Sequence, residues 1–215
     1  MEEALQDNRF LRSTALDQLK KQEEGDPFKI LIGTILSART RDEQTTKAVK
    51  NLFTKYKGPQ DIAMADTKDI KKLISAVGFY NIKAKRIKEV SNIINIKYNG
   101  KIPDDIKDLL ELPGVGRKTA NCVLVYGFNM PAIPVDTHVH RIFNRLGEVR
   151  TKDPLDTEET LSKILEKKYW IKLNSIVVRY GQNICLPAKP RCNCCKLKEN
   201  CSYYKDKNQP VLKKV

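Results

Sequence analysis

Leu112-Pro113-Gly114-Val115-Gly116-Arg117-Lys118-Thr119-Ala120 is the stretch on which the reading of this chain turns. It joins one amphipathic segment, carrying Ile106, Leu109 and Leu110, to another that runs on through Val123 and Leu124. One Pro and two Gly between two helical patterns make a tight turn. The backbone N–H groups at the start of the second helix then form a ready site for a phosphate. A Walker loop is excluded, because that motif needs Gly-Lys-Ser/Thr after a four-residue gap, and Arg117 stands between Gly116 and Lys118. Lys118 falls in the first turn of its helix, where the positive end of the helix dipole and neighbouring Arg117 disfavour an ammonium and should lower its pKa. A neutral lysine is a nucleophile able to form Schiff bases. Without a partner, a lysine at a helix start reads instead as a solvated cation or a phosphate contact.

Outward from this turn, apolar residues recur at helical spacing nearly everywhere and no run alternates strictly enough to make a strand, so the chain reads as all-α. Asp66 can cap a helix with Ile70, Leu73, Ile74 and Val77 on its buried face, ended by Gly78. Asn81 can cap the next, with Ile87, Val90, Ile94 and Tyr98, ended by Gly100. Further helices are expected near 3–22, 27–38, 42–56, 104–111, 117–127, 137–147, 157–168 and 172–184, joined by short loops into a compact bundle. Asp156 and Glu159 have the spacing of a capping box at the start of the 157–168 helix. Pro131 and Pro134 interrupt the pattern before Val135 and mark the best candidate for a domain crossing.

Asp136 follows that crossing and precedes a helical stretch with Val139, Ile142, Phe143 and Leu146, where an isolated Asp is an N-cap. His138 and His140 could join it around a metal, but residues two apart on a helix face different ways, so a cap with packing or DNA-facing histidines is preferred.

Across 215 residues the chain carries 40 basic and 26 acidic side chains, a formal charge of +14. That balance points to a polyanionic partner, nucleic acid first and an acidic membrane surface second. Residues 67–101 hold nine Lys or Arg against two acids, and 186–215 hold eight against two. The longest apolar stretch, Ile30 to Ala38, is about half the roughly 20 residues a spanning helix needs. No transmembrane segment is expected. The opening Met1-Glu2-Glu3 leads into neither a secretory nor a transit signal, which places the protein inside a cell.

Five of six cysteines crowd into Cys185 to Cys201. In a reducing compartment that clustering favours metal binding over disulfides. Cys185, Cys192, Cys195 and Cys201 form C-x6-C-x2-C-x5-C, with Cys194 as an extra thiol. Four thiolates can hold zinc or an iron–sulfur cluster, and spacing alone does not choose. Lys189, Arg191, Lys196 and Lys198 lie between the ligands and would present charge to a phosphate backbone.

Taken together, the turn Leu112 to Ala120, then Val135-Asp136-Thr137-His138, then the four-cysteine loop resemble the endonuclease III family of DNA glycosylases. The resemblance runs from Pro27-Phe28 and Leu36-Ser37-Ala38 through Gly78-Phe79-Tyr80-Asn81 and Gly100-Lys101-Ile102-Pro103 to Cys201. It implies a helix-hairpin-helix fold of two domains: a six-helix barrel over about 25–133, and a domain of 1–24 with 134–215 in which Cys185, Cys192, Cys195 and Cys201 hold a [4Fe-4S] cluster. DNA is expected in the cleft between them, with the N–H groups of Gly114 and Gly116 on a phosphate. The implied substrate is double-stranded DNA containing oxidised pyrimidines such as thymine glycol, or abasic sites. The damaged nucleotide flips out because its reacting C1′ is inaccessible in the stack. Lys118 is the implied nucleophile, Asp136 the group that assists deprotonation and stabilises charge on the sugar, and β-elimination follows through a Schiff base.

At Ser37-Ala38-Arg39-Thr40, where many family members carry a Gln that fills the gap left by the flipped base, this chain has Arg39. Arg39 is the expected plug and Phe79 the expected wedge, although Phe79 after Gly78 reads equally as a core aromatic. The resemblance further implies a monomer, acting in the cytoplasm of a prokaryote in association with the nucleoid. Two other readings compete: a monofunctional mismatch or adenine glycosylase, which generally lacks the lysine, and a non-catalytic DNA-binding module with a zinc loop.

Overall fold

A computed structural model describes Met1, Leu5 and residues 14–22 and 25–208. Among these residues every regular element is helical, and no helix is long and apolar enough to cross a membrane. The chain divides into two compact units, one of Ser13–Pro134 and the other of Met1–Arg12 with Val135–Val215.

The first unit contains α1 (Ala15–Gln22), α2 (Pro27–Ser37), α3 (Asp42–Lys55), α4 (Pro59–Met64), α5 (Thr67–Leu73), α6 (Tyr80–Tyr98), α7 (Ile106–Glu111) and α8 (Arg117–Cys122). Asp26 accepts from the N–H groups of Phe28 and Lys29 to start α2, and Pro27 sits at the first helical position, where its missing N–H costs nothing. Every residue from Ile30 to Leu36 is buried, so α2 is the central helix, apolar all round as such a helix must be. Leu52 of α3 and Ile87 and Ile94 of α6, helices that pack on α2, are fully buried, as are Ile62 of α4 and Ile70 of α5, which pack on α6, and Leu109 of α7, which packs on α8.

The expected helix over 3–22 is described only as α1, the rest lying outside the described residues. The resemblance grouped residues 1–24 with the C-terminal helices. Residues 14–22 instead pack in the first unit, because Leu16 and Leu19 are buried and Gly33 leaves room for the Leu19 side chain directly on α2.

Asp66 caps α5 as expected, accepting from Lys68 N–H at 2.8 Å. Asn81 does not cap α6. That helix begins one residue earlier, at Tyr80, behind Phe79 in the left-handed conformation. The expected helix over 117–127 is α8 followed by a π-helical turn, Val123–Gly127. The wider turn brings the Gly127 backbone against Pro27, where a Cβ would stand 2.9 Å from the Pro27 Cα.

The second unit contains α9 (Thr137–Leu146), α10 (Pro154–Ile164), α11 (Trp170–Asn183) and α12 (Ser202–Asn208). Val139, Ile142 and Phe143 of α9 pack with Leu173, Val177 and Tyr180 of α11 in its core. Gly181 lets His138 and Arg141 lie close against α11. The start of α10 differs from the capping-box expectation at Asp156. Asp153 is the cap, accepting from the N–H groups of Leu155 and Asp156, and Pro154 follows at the first helical position.

Candidate DNA-repair site

The hairpin between α7 and α8 is closed by Val115 N–H donating to Leu112 O at 3.0 Å, with Val115 and Leu112 buried beneath it and Gly114 and Gly116 exposed. Gly114 has φ 72°, and any Cβ there would overlap the Arg86 side chain of α6, so only glycine fits. Gly116 is different. Its φ of −91° suits any residue, a Cβ would meet nothing within 4 Å, and it heads α8 with no side-chain cap. Lys118 is the second residue of α8 and is half-buried behind this turn. One turn further, buried Asn121 donates to Ile133 O at 3.1 Å and ties the segment leading to Pro134 onto α8. Neither Arg86 nor Asn121 was singled out from the sequence.

Asp136 opens the second unit as the N-cap of α9. Its Oδ1 accepts from His138 N–H at 2.9 Å and Val139 N–H at 3.0 Å, so capping occupies one oxygen of the carboxylate. The two histidines part company, as their spacing requires. His138 Nδ1 meets Arg141 Nη2 at 3.1 Å, and His140 Nδ1 meets Thr157 Oγ1 at 2.7 Å.

Two residues expected at the lesion lie side by side in the first unit. Arg39 and Phe79 are both exposed, Phe79 by 59%, and the guanidinium carbon stands 5.9 Å from the ring centroid. Phe79 is therefore not a core aromatic. The basic run over 67–101 is only partly a free surface: Lys83 is buried, Lys88 donates to Ala65 O, Lys97 pairs with Glu111, and Arg86 covers Gly114.

Cys185, Cys192, Cys195 and Cys201 line one pocket of about 420 Å³ counting its open mouth, walled by Ile142, Leu146, Tyr180 and Ile184. Cys194 is exposed, and its thiol donates to Arg191 O at 3.3 Å. Arg145 of α9 donates to Cys185 Sγ at 3.3 Å and to Leu186 O and Pro187 O, while Tyr180 Oη lies 3.1 Å from Cys195 Sγ. Burial first, then the neighbouring Cys195, Cys185 and Cys201, push the Cys192 thiol up. Four thiols facing one apolar pocket, with an arginine donating to one sulfur and a tyrosine hydroxyl within hydrogen-bond reach of another, suit a centre that keeps all four as thiolates. Among the described residues no three Cys, His, Asp or Glu side chains converge tightly enough to hold a single metal ion.

Two helices of an all-helical unit joined by a tight glycine hairpin define a helix-hairpin-helix protein. Residues 32–167 match the family model of the HhH-GPD superfamily base excision DNA repair proteins. The chain is 51% identical to endonuclease III of Thermotoga maritima over 186 residues, covering 86% of this chain and 87% of that protein. Among solved structures, a trapped endonuclease III–DNA covalent intermediate matches with a TM-score of 0.80 at 36% identity, covering 90% of this chain and 95% of that one. A thermostable thymine-DNA glycosylase matches with a TM-score of 0.79 at 31% identity, covering 85% and 86%. The chain belongs to the HhH-GPD superfamily and, within it, to the endonuclease III family, so its activity is that of a base-excision-repair DNA glycosylase and AP lyase.

Proposed function

We propose that the substrate is double-stranded DNA carrying an oxidised pyrimidine such as thymine glycol, or an abasic site, and that Lys118 and Asp136 carry the chemistry. The observation that carries this reading is the place of Lys118, half-buried on the first turn of α8 directly behind the exposed Gly114–Gly116 hairpin. Gly116 supports a phosphate on this hairpin. Among the described residues nothing lies within 4 Å of where a Cβ at Gly116 would stand, so the backbone there is open to a phosphate.

In this mechanism the neutral Lys118 Nζ attacks C1′ of the extruded nucleotide, and the N-glycosidic electron pair leaves with the base. The new C1′–N bond sheds a proton and the sugar ring opens to an imine. Loss of a C2′ proton then expels the 3′ phosphate, and water releases Lys118. Asp136 assists deprotonation through the carboxylate oxygen that does not cap α9, and its charge stabilises the cationic sugar. Arg39 fills the gap left in the duplex and Phe79 wedges the neighbouring step. Cys185, Cys192, Cys195 and Cys201 would hold a [4Fe-4S] cluster, whose contribution is four strong Fe–S bonds that fold the basic loop. The protein acts as a monomer on this reading.

The test is borohydride trapping on a duplex with a single thymine glycol, comparing wild type with Lys118→Ala. A covalent adduct with wild type only is the expected result. Base release without trapping by wild type would make the enzyme monofunctional and overturn the role of Lys118.

A further inference from the structure

Arg39 and Phe79 both sit in the left-handed backbone region, at φ 53° and 56°. For residues with large side chains that state is uncommon and persists only where the surroundings enforce it. The enforcing contacts converge on Lys83. Its side chain lies on the buried face of α6, the residue is 5% exposed, and its Nζ donates to Leu36 O at 2.7 Å, Ala38 O at 2.6 Å and Thr40 Oγ1 at 3.0 Å. Leu36 and Ala38 close the C-terminal end of α2, whose orphan carbonyls and negative dipole end suit an ammonium. Thr40 lies beyond the helix. Its hydroxyl also accepts from Gly78 N–H at 3.2 Å, and a Cβ on Gly78 would stand 3.0 Å from Arg39 O. One ammonium and one hydroxyl therefore chain the turn that carries Arg39 to the turn that carries Phe79.

Burying a charge among neutral oxygens is costly, and an apolar side chain of similar volume is often as stable or more so. Stability alone does not explain a lysine here. Geometry does, because three acceptors on two sides of Arg39 fix the path of the backbone through it.

We propose that Lys83 is the positioning residue for lesion opening: it locks the Arg39 and Phe79 turns into one two-pronged element, so that both side chains enter the DNA stack together. The proposal rests on the reading of Arg39 and Phe79 as plug and wedge. Lys83 touches neither DNA nor Lys118 in this account and acts only through the turns it ties.

The experiment uses the full chain in four variants, Lys83→Met, Thr40→Val, Arg39→Ala and Phe79→Ala. Opening is read by stopped-flow fluorescence of a 2-aminopurine placed beside a thymine glycol in a duplex. Chemistry without opening is read as single-turnover β-elimination at an abasic site in single-stranded DNA. Lys83→Met is expected to slow opening about tenfold or more while its single-strand rate stays at the wild-type value, with Thr40→Val weaker in the same direction. Slowed opening in Arg39→Ala and Phe79→Ala with wild-type opening in Lys83→Met overturns the proposal alone. Wild-type opening in Arg39→Ala and Phe79→Ala overturns the plug-and-wedge reading and the proposal with it. A parallel loss of single-strand rate in Lys83→Met reduces Lys83 to general structural support. If Lys83→Met does not fold, Thr40→Val, which cuts the same chain of bonds at its half-exposed end, is judged by the same criteria.

Discussion

Asp136→Asn and Asp136→Ala separate the helix cap that the Asp136 carboxylate forms from the chemical role proposed for it. As an N-cap, Asp136 accepts two backbone N–H bonds on α9, at 2.9 and 3.0 Å. Alanine removes both, at a cost of about 1 kcal/mol. In a chain of 215 residues that corresponds to a fall in Tm of roughly 2–4 °C. Asparagine caps about as well as aspartate. It gives up only the charge at the positive end of the helix, about 0.3–1 kcal/mol. In the chemical role the order changes, because neither variant can take a proton or offset a cationic sugar. Both should lose about 10²–10⁴-fold in the single-turnover rate of base release. The assay pairs thermal unfolding with single-turnover release of thymine glycol and a binding isotherm by fluorescence anisotropy. Asp136→Asn should melt close to wild type, bind DNA nearly as well and be almost inactive. A wild-type rate for Asp136→Asn would remove Asp136 from the chemistry and leave it a helix cap. A rate loss in Asp136→Ala alone, tracking its lower Tm, would lead to the same conclusion.

The cysteine assignment predicts opposite behaviour for two thiols two residues apart. Cys192→Ser should lose iron, sulfide and yellow-brown absorbance, whereas Cys194→Ser, whose thiol is exposed and lies outside the pocket, should keep all three. Zinc in the purified wild type, or equal loss in both variants, would refute the ligand set. Lys83 predicts a pH dependence. Burial pushes its pKa from 10.5 down to about 8 in the folded chain, so between those values the unfolded state binds more protons. Stability contributed at this site therefore rises as pH climbs through that window, and the cost of the buried charge is fully present below it. Urea unfolding at about pH 7.5 and about pH 9.5 should move the difference between wild type and Lys83→Met toward wild type at the higher pH, and a constant difference would refute the burial.

How far the sequence could be read depended on whether a feature was local. The caps at Asp66 and Asp136 need only a short side chain reaching amides two or three residues on, and both form where the spacing put them. At Asp153-Pro154 two local signals competed, and proline at the first helical position outweighed the capping-box spacing three residues later. Asn81 gave way to Phe79 because the turn before α6 is held from outside the helix by Thr40, whose hydroxyl bonds both Gly78 N–H and the Lys83 ammonium of α6. No propensity announces a left-handed phenylalanine. Lys83 itself was visible in the pattern: it stands four residues before Ile87, seven before Val90 and eleven before Ile94, on the apolar face of α6. Counting it among the basic residues of 67–101 hid that. The hydrogen-bond partners of the cysteine sulfurs were not legible, because Arg145 and Tyr180 reach them from helices that precede the C-terminal cysteine loop in sequence.

The residues proposed for function share one structural address, the end of a helix. Arg39 follows α2, Phe79 precedes α6, Gly116 and Lys118 open α8, and Asp136 opens α9. Helix ends are where backbone N–H and C=O groups lack helical partners, and the partner chosen decides what the end can do. At α9 an aspartate takes the first-turn amides and so has its carboxylate fixed in place. At α8 glycine takes the cap position with no side chain, which leaves the approach open to a phosphate. At α2 a buried ammonium from another helix takes the last carbonyls and fixes the turn beyond them. The overall charge of +14 draws the enzyme to DNA without telling one site on it from another. On the proposed reading discrimination falls to these helix ends, and for Lys118, the proposed nucleophile, the useful state is the one that carries no charge at all.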